Sequence, residues 1–367
     1  MTAPETLTTR QLNRATLARQ MLLARERTSP VAAIERLVGL QAQLARPPFV
    51  GLWTRLEGFG REDLLAPLRQ RQVVRATMMR GTLHLVSAAD YLALRGALQP
   101  MLARGLSVLG ARAASLDVAA LEADARAFFG AAPATFDALR TRFKARDPAA
   151  DERAMAYAVR MYLPLVQVPT DAPWGFPAAA EFAVAEEWLG ARLPADAAPA
   201  EVLVRRYLAA FGPATPGDAQ TWSGVHGLRE TFAALRPTLV TFRDARKREL
   251  FDLPDAPRPP EDTPAPVRFL PEFDNLVLSH DDRGRVVAAE HRARVVLKNL
   301  QVRATFLLEG MVAGTWRVER KKNAAVLVLE PFATLTKKAL AALQSEGDAL
   351  LRFAEPEAEV REVRLGQ

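Results

Sequence analysis

The chain has 367 residues, enough for two or three domains or repeats around a sizeable core, and with 49% apolar residues it is expected to be globular. It contains no cysteine, which excludes a disulfide framework, thiolate zinc sites and a cysteine nucleophile. Its 49 Lys and Arg against 42 Asp and Glu give a net charge of +7 and a pI near 10.0, a balance that suits contact with a polyanion such as nucleic acid.

The opening run MTAPETLTTR lacks the charged region and apolar core of a signal peptide, and no segment approaches the apolar length of a membrane span. A cytoplasmic location without membrane contact is expected. Helices are expected at about 9–25, 30–44 and 61–71. In the second, Val31, Ile34, Leu37, Val38 and Leu40 recur at helical spacing after the start signal Ser29-Pro30, and Pro47 and Pro48 are read as its stop. Gln41-Ala42-Gln43 then falls in a fraying last turn, followed by Arg46. Residues two apart on a regular helix point about 200° from one another, so the two amides can serve one site only where the helix is ending. On spacing alone, Gln41 capping orphan carbonyls with Gln43 solvated is the plainer reading. Several arginines follow: Arg46, Arg55, Arg61, Arg71, Arg75 and Arg80, with Phe49 and Trp53 among them. Arginines suit phosphates and an aromatic ring can wedge at an opened base pair, although core packing is the ordinary role of Phe49 and Trp53. RATMMRGTLHLVS reads as two short strands divided by a turn at Arg80-Gly81, with Thr82 and His84 at the start of the second.

The chain then repeats itself. FGAAPAT at 129–135 and FGPAT at 211–215 each follow an apolar-periodic segment, 117–129 and 200–211. Each Gly, Gly130 and Gly212, suits a left-handed helix cap, and each Thr, Thr135 and Thr215, suits the N-cap of the next helix. The first is followed by FDALRTRF, a helix from Asp151 and the extended run LPLVQVP; the second by DAQTWSG, a helix around 226–237, and TLVTF and ELFDL. Helix, tight turn, helix, helix, short strands is the order of a winged helix-turn-helix, and the first hundred residues can be read the same way; an all-helical array with similar caps is the alternative. The expected fold is mainly helical α+β, three tandem winged helix-turn-helix units over 1–112, 113–196 and 197–258, then a strand-rich α/β module over 259–367. In that module, after the Pro-rich LPDAPRPPEDTPAP, strands are expected at 267–270, 275–279, 303–308, 311–318 and 325–330, with a hairpin turn at Glu309-Gly310, a helix around 336–352 and a terminal strand.

Metal and nucleotide chemistry lack support. His84, His226, His280 and His291 show no i,i+4 pairing, and His280-Asp281-Asp282 reads as an Asp-rich turn before Arg283-Gly284. No GxGxxG, P-loop or GxSxG is present, so no nucleotide or other cofactor is expected.

LVGLQAQLARPPFVGLW, RGTLHLVS, LPEFDNLVLSH and GTWRVER, in that order along the chain, resemble the AlkZ/YcaQ-type winged-helix DNA glycosylases. The family motif is glutamine, an apolar residue, then glutamine or aspartate; here both ends are glutamine. The resemblance implies a C-shaped molecule with a concave basic surface for double-stranded DNA, and removal of N7-alkylated purines, with some members unhooking interstrand crosslinks. It implies Gln41 and Gln43 as catalytic residues positioning water, with Arg46, Phe49, Trp53, Arg75, Arg80, Thr82 and His84 on the DNA. Asp274, Asn275, His280 and Arg283 are expected in supporting roles, Asp274 fixing a turn or a backbone amide. Without a carboxylate at 43 or a Schiff-base lysine, a monofunctional glycosylase is expected, monomeric and associated with the nucleoid. A non-catalytic winged-helix DNA-binding protein or regulator is the competing reading, although no dimerisation helix is evident.

Overall fold

The structure, a computed structural model, describes residues 5–114, 116–196 and 200–366. Residues 1–4 of the opening run and the boundary expected at 196/197 lie outside the described residues or against them.

The first helix, α1 (Thr9–Arg19), starts at a capping box in which Thr8 and Gln11 satisfy each other's backbone amides. It stops well short of residue 25 because Met21 turns left-handed, φ 54°, and sends Leu22 into the core. Next, α2 (Pro30–Arg36) is capped by Ser29, with Pro30 in its first turn. It does not run to residue 44. Val38 and Gly39 take positive φ, 54° and 89°, and the chain emerges as β1 (Leu40–Gln41). Pro47 and Pro48, read from sequence as a stop, instead begin α3 (Pro47–Trp53), where a missing N–H costs nothing. After α4 (Glu62–Arg69), β2 (Val73–Thr77) and β3 (Leu83–Ser87) form the expected hairpin, its turn carrying Arg80 at φ 55° and Gly81 at φ 68°.

The following elements are α5 (Ala88–Arg104), α6 (Val118–Ala131), α7 (Phe136–Arg146), α8 (Glu152–Tyr162), β4 (Leu165–Gln167), β5 (Phe182–Val184) and α9 (Ala185–Leu189). Strand order β1-β3-β2-β4-β5, antiparallel throughout, joins the strands of the first two expected units in one sheet, where separate wings are the simpler expectation. Then α10 (Ala200–Phe211), α11 (Pro216–Ser223) and α12 (Leu228–Leu235) lead into the two-stranded β6 (Val240–Arg243) and β7 (Glu249–Asp252), in the expected order. Thr135 and Thr215 cap α7 and α11 as their positions predict. Gly130 and Gly212 are not left-handed caps. Gly130 lies inside α6, and Gly212 is required by crowding: a Cβ there would sit 2.4 Å from the Arg19 guanidinium and 2.7 Å from Asp252.

The C-terminal module holds β8 (Arg268–Leu270), α13 (Asn275–Leu278), α14 (Arg292–Val295), β9 (Thr305–Leu308), β10 (Met311–Lys321), β11 (Ala324–Pro331), α15 (Lys337–Ala354) and β12 (Val360–Leu365). Its sheet runs β12-β11-β10-β9-β8, with β12 parallel to β11. Glu309 and Gly310 both take positive φ, 49° and 81°, at the predicted turn. The strand expected at 275–279 is α13. Its short apolar run has no decisive period, and the Asp274 side chain accepts from the Leu276 N–H as an N-cap, which settles it. The result is an α+β molecule in which α3, β1 and α13 meet between two cores, one built on Leu37, Leu40, Ala42 and Phe49, the other on Phe269, Phe306 and Leu350.

Candidate active site

From Leu40 to Ala42 the chain runs along β3: Leu40 pairs with Leu85, Gln41 with His84, and the Ala42 N–H donates to the Leu83 carbonyl at 2.7 Å. Leu40 and Ala42 enter the core, Gln41 between them points away from it as strand alternation requires, and Gln43 follows in an exposed bend. The two amides flank buried Ala42 at the end of a strand, with Gln43 in the bend that follows, and not in a fraying helix turn. Gly39 makes this possible. Its left-handed φ turns the chain into the strand, a Cβ would lie 2.6 Å from Val86 Cγ1, and its carbonyl accepts from Asn275 Nδ2 at 2.6 Å.

Both amide oxygens are engaged. Gln41 Oε1 accepts from Arg80 Nη2 at 2.7 Å, and Gln43 Oε1 accepts from the Leu83 N–H at 2.8 Å. Guanidinium and backbone N–H groups only donate, so the oxygen of each amide must face its partner. Each side-chain NH2, and a second lone pair on each oxygen, is left for other work. Arg75 braces the main chain of the motif from below, Nε on the Ala42 carbonyl at 2.8 Å and Nη2 on the Gln43 carbonyl at 3.0 Å. Burial pushes the Arg75 guanidinium down to about 10. The same cause, helped by nearby Arg283, brings Arg80 to about 10, and Arg80 Nη1 also donates to the Trp222 carbonyl on α11. Trp222, Arg80 and Gln41 thus form a chain from α11 to the motif.

His84 is fully buried, its Nδ1 3.0 Å from the Thr82 carbonyl, so Nδ1 carries the proton. Burial first and Arg80 second hold it down to about 3, a neutral imidazole at pH 7. It is no acid catalyst there.

Burial corrects the expectation of DNA contact for Phe49, Arg75 and His84, and the other residues of that set have partners within the protein. Phe49 is 0% exposed and packs edge-on to Trp174; His84 is 1% and Arg75 5% exposed. Arg80 faces Gln41 instead of a phosphate. Arg46 pairs with Glu355 at 3.0 Å and leans on Trp174, and half-buried Trp53 stacks on Phe353 beneath Arg25. Thr82, also half-buried, gives its hydroxyl to the Met79 carbonyl. Among the flanking arginines, Arg55 lies in a buried two-bond pair with Asp274, Arg61 donates to Phe353 and Ala354 carbonyls, and Arg71 donates to the Trp188 carbonyl. These partners come from segments remote in sequence, which is why a string of arginines read as a phosphate-binding face.

Asn275 donates to the Gly39 carbonyl just before β1, and Asp274 holds Arg55 in a buried pair. His280 does not reach the motif: Nε2 meets the Phe211 carbonyl at 3.0 Å and Nδ1 meets Ser279. Arg283 is half-buried, with its Nε unpartnered among the described residues. Sequence reasoning missed Trp222 and Glu355, which act through carbonyl and carboxylate contacts without a local signature. Among the described residues no helix is long and apolar enough to cross a membrane.

Residues 34–353 match the family described as DNA glycosylase AlkZ-like. The interstrand DNA cross-link repair glycosylase of Streptomyces sahachiroi is 25% identical over 368 residues, covering 92% of this chain and 94% of that protein. The solved structure of Streptomyces sahachiroi DNA glycosylase AlkZ has the same fold, with a TM-score of 0.78 at 22% identity, covering 98% of this chain and 100% of that one.

Proposed function

This chain belongs to the AlkZ-like DNA glycosylase family, and from that premise we propose that it is a monofunctional hydrolase of N7-alkylguanine-type lesions in duplex DNA, interstrand crosslinks included. The observation that carries this reading is the pair Gln41 and Gln43 at the end of β1, their oxygens held by Arg80 and the Leu83 N–H. One amide N–H donates to a water, and a spare lone pair on an amide oxygen accepts one of its hydrogens, which aims the remaining water lone pair at the anomeric carbon. The C1′–N9 bond breaks, its electron pair neutralises the cationic imidazole ring of the alkylated base, the water oxygen bonds to C1′, and the released proton passes to solvent.

The lesion carries its own activation. N7 alkylation makes guanine a cationic, good leaving group, which fits a site whose nearest imidazole, His84, is neutral. Two amides cannot offset a sugar cation as a carboxylate would, so lesions with poorer leaving groups should be spared. Neither glutamine nor its hydrogen-bond partners supplies a lysine amine, consistent with hydrolysis without a lyase step. We take the functional unit as a monomer on double-stranded DNA in the nucleoid, with no cofactor, its helical units acting as three tandem winged helices around a basic concave face.

The test is release of N7-methylguanine from a duplex by the protein, Gln41→Ala, Gln43→Ala and the double variant. Release by the protein that falls at least tenfold in each variant supports the mechanism, the scale expected for losing one positioned amide. No release by the protein, or equal release by all four, defeats it. DNA binding with a steep salt dependence and no release would instead favour a binding protein.

A further inference from the structure

The segment that carries the two glutamines disposes its apolar residues unequally. Leu40 and Ala42 are buried and Ala45 packs against the same core, whereas Leu44 is 53% exposed and belongs to none of the cores. A single exposed leucine is ordinary on a protein surface. This one is distinguished by how it is held. Arg75 ties the Ala42 and Gln43 carbonyls before it, at 2.8 and 3.0 Å, and Gln43 Oε1 accepts from the Leu83 N–H. After it, Arg46 is fixed to buried Glu355 at 3.0 Å and α3 begins at Pro47. Exposed bends are as a rule the mobile parts of a chain. Here the backbone is fixed on both sides, and what it presents to solvent is an aliphatic side chain.

The position of the motif on the substrate gives that side chain its target. With Gln43 set against the anomeric carbon of the damaged nucleotide, the next residue lies one Cα step of about 3.8 Å along the chain, close to the rise of about 3.4 Å between successive nucleotides of a strand. Leu44 therefore meets the base step beside the lesion. The rings expected from the sequence to wedge there, Phe49 and Trp53, are packed into or against the cores. A branched aliphatic side chain has no polar atom to desolvate and gains by entering a base stack, as the apolar residues that open base steps do. An opened step loosens the stack on the leaving base and admits Gln43 and its water to C1′.

We propose that Leu44 is a wedge: it enters the duplex at the step beside the damaged nucleotide, unstacks it and holds the anomeric carbon at Gln43. It is a positioning residue with no part in bond breaking, and its role rests on the glycosylase reading above.

Two readouts test it with the protein, Leu44→Ala and Leu44→Met. In the first, 2-aminopurine, whose fluorescence rises on unstacking, is placed on the 5′ or the 3′ side of an N7-methylguanine nucleotide whose 2′-fluorine slows base loss. The protein and Leu44→Met should raise the fluorescence of one of these duplexes, and Leu44→Ala should lose that rise. In the second, single-turnover release of N7-methylguanine is measured from an intact duplex and from one in which both nucleotides flanking the lesion are abasic, so that no stack remains to be opened. Leu44→Ala should slow release from the intact duplex on the order of tenfold, the scale of losing the burial of a leucine side chain, and leave the abasic-flanked duplex nearly unchanged. Leu44→Met should keep the rate on both. The ratio between duplexes cancels any loss of folded protein. No fluorescence rise with the protein on either side, an undiminished rise in Leu44→Ala, or equal effects of that variant on the two duplexes overturns the wedge and leaves the glycosylase reading standing. No release from either duplex by the protein defeats the glycosylase reading, and the fluorescence, which needs binding alone, then still decides whether Leu44 opens the step.

Discussion

Arg80→Met separates two roles that the same residue could play. As a phosphate contact, Arg80 would contribute to affinity, and its loss would weaken binding and reduce the slope of log K against log salt by about 1. The geometry assigns it otherwise: Nη2 is 2.7 Å from Gln41 Oε1, Nη1 serves the Trp222 carbonyl, and burial pushes the group down to about 10. A charge-assisted hydrogen bond in such surroundings contributes about 1.5–3 kcal/mol, so releasing Gln41 from its fixed orientation should slow base release by roughly 10- to 100-fold. Binding and its salt slope should stay nearly constant. Single-turnover release of N7-methylguanine, with duplex binding titrated over a range of salt, reads both quantities. The double variant Arg80→Met/Gln41→Ala supplies the control, because a residue that acts through Gln41 adds nothing once Gln41 is gone. A reduced salt slope with an unchanged single-turnover rate would refute the positioning role, as would strict additivity in the double variant.

Gly39→Ala combines a left-handed φ of 89° with a Cβ 2.6 Å from Val86, and should destabilise the fold by about 2–4 kcal/mol in urea titration. Asp274→Ala strands the fully buried Arg55 guanidinium and should cost about 3–5 kcal/mol, whereas Arg55→Met/Asp274→Leu should recover much of that loss. His84, facing Arg80, and His280, facing Arg285, Asp218 and Asp282, are each held down to about 3. Their folded pKa lies below the unfolded value, so the unfolded chain takes up two more protons as pH falls from about 6.5 towards 3. Stability should drop across that window with a slope of up to ~2.7 kcal/mol per pH unit, followed by denaturant midpoints against pH. Base release itself should be flat from about pH 6 to 8, since amides do not titrate and His84 stays neutral; an inflection near 6.5 would implicate an ionising histidine.

Local rules located the elements whose determinants are themselves local. Ser29, Thr135 and Thr215 cap helices through bonds three residues on, and Arg80-Gly81 and Glu309-Gly310 turn hairpins by taking positive φ, all within a few residues of chain. The same rules misread 30–44 and 275–279. Leu37 to Leu40 carries helical spacing, but the strand ladder to Leu83 and Leu85 and the Asn275 bond to Gly39 outweigh that local preference. Asp274, a cap in sequence terms, is also the anion of a buried pair that sequence could not join to Arg55.

The two glutamines, the apolar residue between them and the basic flank were legible from the sequence, and so was the order of helices and hairpins around them. What only the tertiary structure decided is where each charge points. Arg46, Arg55, Arg61, Arg71, Arg75 and Arg80 looked like a DNA-facing set, yet all six donate to carbonyls or carboxylates of the protein itself, several in segments more than a hundred residues away. Phe136, Arg160 and Gln167 likewise line one cavity with Gln43 although they lie more than ninety residues further along the chain. Caps and turns are bonds between near neighbours and leave a spacing in the chain. A guanidinium satisfied by a remote carbonyl leaves none, because its partner is set by packing and not by sequence separation.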